Sequence, residues 1–334
     1  MACDPSWDDL KIFLACARAL SFRAAAKTLG LTSSTVVRRI SALETELGLS
    51  LFDRLPNGVQ LTREGARLVS SANQIEQGAF DFQRRVETFD PQKRGIVRIA
   101  ATEGIGTYWL MPRLIDFQRG NPMMVVDMKA SDTPADVARM EADISIQFEE
   151  PNNPSVMRRR LGSLHVYPYA SRSYVDVYGS PSSINEMLDH RLVDQVGPQL
   201  DDGAWPRYLG ISDIEGVIGI RTNSSAAHFF AIERGAGIGG LPTFASALGT
   251  NLIPIDIGIH HRVDIWVTYH PDARRTPRIA TMIDWLIESF DPHKYPWFRD
   301  EFIHPNAFAD FDNRVWEGSE VSGYAAAGFT KDQF

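Results

Sequence analysis

Few residues of this 334-residue chain have types and spacing that could do chemistry. The run Gly235-Ala236-Gly237-Ile238-Gly239-Gly240 has the spacing of a dinucleotide-binding loop, which must follow a strand and open a helix. Here the helical stretch Ala226 to Arg234 comes first and a strand ending at Leu241-Pro242 comes after, so the glycines read as a helix stop and close packing. His260, His261 and His270 lack a Cys or carboxylate at ligand spacing, and adjacent strand residues point to opposite faces. They read as solvated histidines. No Gly-x-Ser-x-Gly elbow or other nucleophile motif occurs. The chain is therefore expected not to be an enzyme and to need no metal or cofactor.

Two hydroxyl-rich stretches remain. Asn223-Ser224-Ser225 joins a strand to a helix N-terminus, where free N–H groups and the macrodipole favour an anion. Thr102 sits similarly after the strand Ile96 to Ala100. In an open α/β sheet, ligands bind beyond the carboxyl ends of strands. That rule gathers Thr102, Glu103, Phe148, Asn223, Ser224 and Ser225 at the mouth of a cleft, with plain helix capping as the alternative role.

The second stretch is Leu31 to Glu44. Val36, Ile40, Leu43 and Leu47 form one apolar stripe at helical spacing, Thr32 stands at the N-cap and Gly48 at the stop. Ser33, Ser34, Val37, Arg38 and Ser41 fall on another face. A short, polar, non-acidic face suits a DNA major groove, where bulk would block approach; an ordinary surface helix is the alternative.

The elements needed to position that face are present. Leu10, Phe13, Leu14 and Ala17 make a first amphipathic helix, and Ser21 caps a second with Phe22, Ala25, Ala26 and Leu29 inward. Gly30-Leu31-Thr32 is a tight turn, giving a helix-turn-helix. Leu51 to Leu61 reads as a hairpin around an Asn57-Gly58 turn. Residues 62–90 form one long helix. In it, Leu61, Gly65, Leu68, Ala72, Ile75, Ala79, Phe82, Val86 and Phe89 alternate spacings of four and three, a heptad seam that predicts pairing of two chains. Leu68, Ala72, Ile75, Ala79, Phe82 and Val86 are its candidate dimerisation residues.

From residue 95 short strands alternate with helices, which predicts a parallel sheet with crossover helices in two lobes. The reading includes helices over Trp109 to Arg119 and Pro134 to Glu141. Net charge is −8, but residues 1–67 hold nine of the 34 basic residues and seven of the 42 acidic ones, so polyanion contact is confined to one end. Two cysteines, Cys3 and Cys16, fit a reducing cytoplasm, and nothing resembles a signal peptide or membrane helix.

Several blocks, in order and spacing, resemble the LysR-type transcriptional regulators: Ser21-Phe22-x-x-Ala25-Ala26, Leu43-Glu44-x-x-Leu47-Gly48, Leu51-Phe52-x-Arg54 and Leu61-Thr62-x-x-Gly65. The likeness continues in Gly95 to Ala100, Met111-Pro112-x-Leu114, Ala142 to Ile146, Arg221 to Ser224 and Gly235 to Pro242, covering roughly residues 7–290. It implies a multi-domain chain. An all-α/winged helix-turn-helix DNA-binding domain would span 1–61 and a long linker (dimerisation) helix 62–90. A two-lobed, periplasmic-binding-protein-like α/β effector domain would span 91–290, with lobe 1 at 95–165 and 265–290 and lobe 2 at 166–264. The aromatic-rich tail 291–334 lies outside the resemblance and is open between partial disorder and docking onto a groove or a neighbouring subunit.

The resemblance further implies a DNA-binding regulator controlled by a small-molecule effector. It would act on double-stranded DNA as a dimer or dimer of dimers, in the cytoplasm and off the membrane, with RNA polymerase a further candidate partner. Ser33, Ser34 and Arg38 would face bases, with Ser21, Thr32 and Val37 beside them and Arg23, Arg39 and Arg54 on phosphates or the wing groove. The family's usual recognition run carries Gln and Ser where this chain has Ser33 and Val37, which implies an altered site sequence. Family cleft hydroxyls hold small, often carboxylated inducers, and Glu103 departs from that pattern. Either it points away or the effector carries a cation or hydroxyl. A small-molecule binding protein or enzyme on the same fold is the competing reading, but it leaves residues 1–90 without a role.

Overall fold

The computed structural model describes residues 5–55, 58–87, 94–197, 204–211, 215–248 and 251–308. The chain divides into two units, residues 1–87 and 88–334.

In the first unit, three hydroxyls start three helices. Ser6, Ser21 and Thr32 accept from the backbone N–H of Asp9, Ala24 and Thr35 at 3.2, 3.3 and 3.2 Å, opening α1 (Trp7–Ala19), α2 (Phe22–Leu29) and α3 (Ser33–Leu47). Gly30 and Gly48 close α2 and α3 in the left-handed conformation. Phe13, Cys16, Ala25, Ala26, Val36, Ile40, Leu43, Leu51 and Phe52 fill the space between them. Burial pushes the Cys16 thiol up to about 12, so it is an inert core residue.

Strands β1 (Phe52–Leu55) and β2 (Gly58–Leu61) pair antiparallel from Phe52↔Leu61 to Leu55↔Gly58. The hairpin is thus present, while Pro56 and Asn57 of its expected turn lie outside the described residues. Helix α4 (Arg63–Glu87) leaves the wing at Thr62. The Thr62 hydroxyl accepts from Gly65 N–H (2.9 Å) and donates to Ser50 C=O (2.7 Å). A Cβ at Gly65 would lie 2.3 Å from Leu51 C=O, so glycine is required for the helix to pass this close.

The second unit is built on a mixed sheet of order β10-β6-β11-β5-β3-β4, with β9 also on β6. Strands β3 (Gly95–Ala101), β4 (Met124–Ala130) and β5 (Ile144–Gln147) are parallel to one another, as expected of lobe 1. The fifteen-residue β6 (Met157–Ser171) and β11 (His261–Tyr269) are antiparallel, which corrects the expectation of an all-parallel sheet. The crossovers anticipated near 165 and 265 fall inside these two strands. Parallel β7 (Leu192–Gln195) and β8 (Ile218–Thr222) form the sheet of the second lobe, while β9 (Gly239–Pro242) and β10 (Leu252–Pro254) return to β6.

Around these strands lie α5 (Met111–Gly120), α6 (Arg172–Tyr178), α7 (Ala204–Leu209), α8 (Ser225–Glu233) and α9 (Pro277–Ser289). Two helix expectations change. The helix expected from Trp109 is preceded by a π-helical turn, Ile105–Leu110, a rare winding that concentrates at functional sites. The helix expected over 134–141 is one 3-10 turn, Val137–Arg139, because Asp136 caps it and Met140 ends it in the left-handed conformation.

Residues 292–308 pack on their own unit. Trp297, Phe298 and Phe308 are buried in the lobe-1 core, and Phe298 meets the Trp109 ring edge-on at 4.8 Å. The remainder of the tail, 309–334, lies outside the described residues. Replacing Phe298 by Ala should lower the stability of this unit by about 3–5 kcal/mol in urea denaturation followed by tryptophan fluorescence. A loss below about 1 kcal/mol would show that the segment is not part of the core.

Candidate functional site

Helix α3 turns Val36, Ile40 and Leu43 inward and leaves Ser33, Ser34, Arg38 and Ser41 exposed, with Val37 half-buried. Thr32 is occupied as the cap and also lies 3.0 Å from Ser34 Oγ and 2.8 Å from Thr35 Oγ1. Ser21 has the same capping role for α2. Arg23 on α2 and Arg54 on β1 are exposed. Arg39, expected among the phosphate-contacting cations, instead donates from Nε to Asp9 Oδ1 at 2.6 Å. The Asp9 carboxyl is held below its usual range by that bond, and α3 is tied to α1.

Glu44, quoted above for its place in a motif, has a defined job. Its Oε1 accepts from Leu51 N–H (2.7 Å) and Phe52 N–H (3.2 Å), fixing the start of the wing to the far end of α3. Arg18 in turn donates to Glu76 Oε1 (3.0 Å) and Asn73 Oδ1 (3.0 Å), seating α1 on α4.

The seam of α4 divides. Ala72 is 4% exposed within the core of its own domain, with half-buried Leu68 beside it, so these two serve the intrachain packing rather than a partner. Further along, Ile75, Phe82 and Val86 are 49%, 72% and 53% exposed and Ala79 is half-buried. Heptad spacing alone cannot distinguish packing on one's own domain from packing on another chain.

In the second unit a cavity of about 480 Å³ separates the lobes. Thr102, Ile105, Tyr108 and Phe148 line it from lobe 1, and Tyr167, Trp205, Ser225, His228, Phe229 and Leu241 from lobe 2. Of the six cleft residues expected, Thr102, Phe148 and Ser225 line the cavity. Ser224 caps α8, accepting from Ala227 N–H at 3.2 Å, and Ser225 Oγ accepts from Gln195 Nε2 at 2.7 Å. Asn223 is exposed and outside the lining, which corrects its placement in the cleft.

Glu103 neither points away nor faces the cavity. Its Oε2 accepts from Ser225 N–H (2.6 Å) and Ala226 N–H (3.4 Å), and its Oε1 accepts from the Ser224 hydroxyl (3.1 Å). Burial, then the neighbouring Glu103 charge, hold the Asp132 carboxyl above its usual range at the same cavity.

His228 was missed by sequence reasoning because it sits on the apolar stretch Ala226 to Ile232. Its Nε2 lies 3.3 Å from Val193 C=O and donates to it. Its Nδ1 is buried without a hydrogen-bond partner. The histidines expected to be solvated have separate roles. His260 stacks on Phe302 at 4.3 Å, His261 Nδ1 lies 3.4 Å from Tyr208 Oη, and His270 Nδ1 accepts from Asp272 N–H. In the 235–240 run, Gly237 passes so close to the chain at Arg191 that a Cβ would lie 2.3 Å from its C=O. Packing explains that glycine.

A winged helix-turn-helix followed by a long helix and a two-lobed α/β unit enclosing a cavity defines a class of one-chain, ligand-responsive DNA-binding proteins. Residues 7–66 match the family model described as bacterial regulatory helix-turn-helix protein, lysR family, and residues 91–291 match the LysR substrate binding domain. The chain belongs to the LysR family of transcriptional regulators.

It is 31% identical over 184 residues to an HTH-type transcriptional regulator of Xanthomonas campestris pv. campestris (strain 8004), a match covering 55% of this chain and 54% of that protein. The chain thus spans about half the length of that relative. It is 23% identical over 290 residues to the probable HTH-type transcriptional regulator LtrA of Klebsiella pneumoniae, covering 84% of this chain and 94% of that one. Among solved structures, full-length AphB of Vibrio cholerae superposes with a TM-score of 0.53 at 19% identity, over 85% of this chain and 99% of that one. CrgA of Neisseria meningitidis gives 0.51 at 21%, over 85% and 98%.

Burial pushes the pKa of His228 down to about 4, because the charged ring cannot be solvated there. The neutral form is therefore favoured by folding. This stability is present above the unfolded value near 6.5 and is lost as pH falls toward 4. Between pH 7 and 5 the unfolded chain gains a proton that the folded chain does not, at a cost of about 2 kcal/mol. Denaturation of wild type and His228→Phe at the two pH values should differ by that amount; equal pH dependence would refute the assignment.

Proposed function

We propose that this protein is a sequence-specific DNA-binding transcription regulator whose two-lobed unit senses a small molecule. The observation that carries the reading is the exposed Ser33, Ser34 and Arg38 face of α3, held on a closed apolar core by Glu44, Asp9–Arg39 and three hydroxyl caps. Ser33, Ser34, Val37 and Arg38 contact base edges, while Arg23 and Arg54 contact phosphates or the wing groove. The exposed half of the α4 seam, Ile75 to Val86, pairs two chains and sets the spacing of two half-sites. The dimer pairs again into a tetramer, RNA polymerase is a further partner, and the protein works in the cytoplasm. Among the described residues no helix is long and apolar enough to cross a membrane.

The effector acts by shifting the closure of the two lobes, a population shift between global states. Thr102, Phe148 and Ser225 contact it inside the cavity, whereas Glu103 and Ser224 form the wall at the helix terminus.

Gel retardation with the DNA upstream of the protein's own gene tests the DNA reading. Sequence-preferring, salt-sensitive retardation is expected, weakened at least about tenfold by Arg38→Ala. No retardation, or no effect of Arg38→Ala, would sink it. For the seam, Ile75→Asp should lower the solution mass of the full chain at micromolar concentration, and an unchanged mass would remove α4 as the pairing element.

A further inference from the structure

The seat at the N-terminus of α8 is already taken. Glu103 reaches from the start of the lobe-1 helical segment to α8 of lobe 2 and accepts two backbone N–H groups and one hydroxyl there. The approach is close. A Cβ at Gly104 would lie 3.2 Å from Ser225 Oγ, so a side chain at this position would crowd α8. One turn on, Tyr108 stacks on Phe229 at 4.5 Å and its hydroxyl lies 3.5 Å from Ala226 C=O. The lobes are thus joined by a carboxylate the chain supplies itself, and the cavity lies beside the Tyr108–Phe229 pair.

His228 supplies an independent observation. It borders the cavity, spends Nε2–H on Val193 C=O and keeps a buried Nδ1 with no partner among the described residues. With the proton on Nε2, Nδ1 is an acceptor, and a buried acceptor left unmatched costs about 1–3 kcal/mol. The apolar lining, Ile105, Tyr108, Phe148, Phe229 and Leu241 among it, suits a ring-sized hydrocarbon body.

We infer that Glu103 is a built-in occupant of the anion seat, and that the effector is an apolar, aromatic-sized molecule without a carboxylate that donates a hydrogen bond to His228 Nδ1. The inference rests on the proposed effector role of this cavity. A free carboxylate would have to displace Glu103 from its three donors and would meet the carboxylate of Asp132 at the same cavity. A hydroxyl or amine on an aromatic body meets neither obstacle.

A matched pair of probes, 2-naphthol and 2-naphthoate, tests this by isothermal titration calorimetry on the full chain. Wild type is expected to bind 2-naphthol at least tenfold tighter than 2-naphthoate. Glu103→Ala empties the seat and should tighten 2-naphthoate at least tenfold. Glu103→Gln keeps an acceptor in it and should leave 2-naphthoate as weak as in wild type. His228→Phe should weaken 2-naphthol at least tenfold. Equal binding of the two probes by wild type, or folded Glu103→Ala that gains nothing for 2-naphthoate, overturns the inference. Should Glu103→Ala not fold, the wild-type comparison and His228→Phe decide it. Gel retardation separates the two readings. A protein that retards DNA but takes naphthoate as well as naphthol overturns this inference alone. One that retards no DNA overturns the regulator reading and leaves the probe comparison intact.

Discussion

Both lobes of the effector unit hang on one antiparallel ladder. Strand β6 pairs with β11 from Val166↔His261 to Met157↔Tyr269, with a register shift between Ile265 and Trp266. On one side β11 carries β5, and through it β3 and β4; on the other, β6 carries β9 and β10. Every cavity-lining residue therefore takes its position from this pair or from an element attached to it. The ladder also buries polar groups that need partners. Ser163 on β6 is met by Arg160, Arg262 and Asp300, and His165 by the carbonyl of Arg299. A polar cluster on an inter-lobe strand is stable because each member is answered.

The DNA-binding unit solves the same problem at its helix ends. Free N–H groups at a helix start and at the entry to the wing are satisfied by Ser6, Ser21, Thr32, Thr62 and Glu44 rather than by water. These bonds fix where each helix begins and how the wing leaves α3. The exposed face of α3 is presented rigidly because its back and both ends are held, which is what reading a base edge requires.

Much of this was legible in the sequence because it is local. A hydroxyl before an apolar stripe and a glycine after it mark a helix within about one turn, and α1 to α4 follow from such marks. Strand β6 was not legible. It opens on Met157-Arg158-Arg159-Arg160, its alternation is broken at Gly162-Ser163, and its polar residues are answered by groups about 100 residues or more away. Glu103 was flagged as a misfit, but Ser225 N–H, which makes sense of it, is 122 residues downstream. His228 carried no signal, since an unmatched ring nitrogen exists only after folding. The heptad seam was half informative because α4 uses one spacing for two different neighbours.

The segment after the family domain gives the ladder a third rail. From Phe298 to His304 it lies along β6. Arg299 meets His165, Asp300 meets Arg160, Ser163 and Arg262, Phe302 stacks on Tyr167 and His260, and His304 meets Asp256. These contacts begin on lobe-1 residues and end on lobe-2 residues. Turning one lobe against the other therefore works against the segment as well as against the two strands. A fragment trimmed at residue 291, where the family resemblance stops, would keep the cavity's walls but lose this splint, so its ligand affinities would describe a differently tensioned molecule.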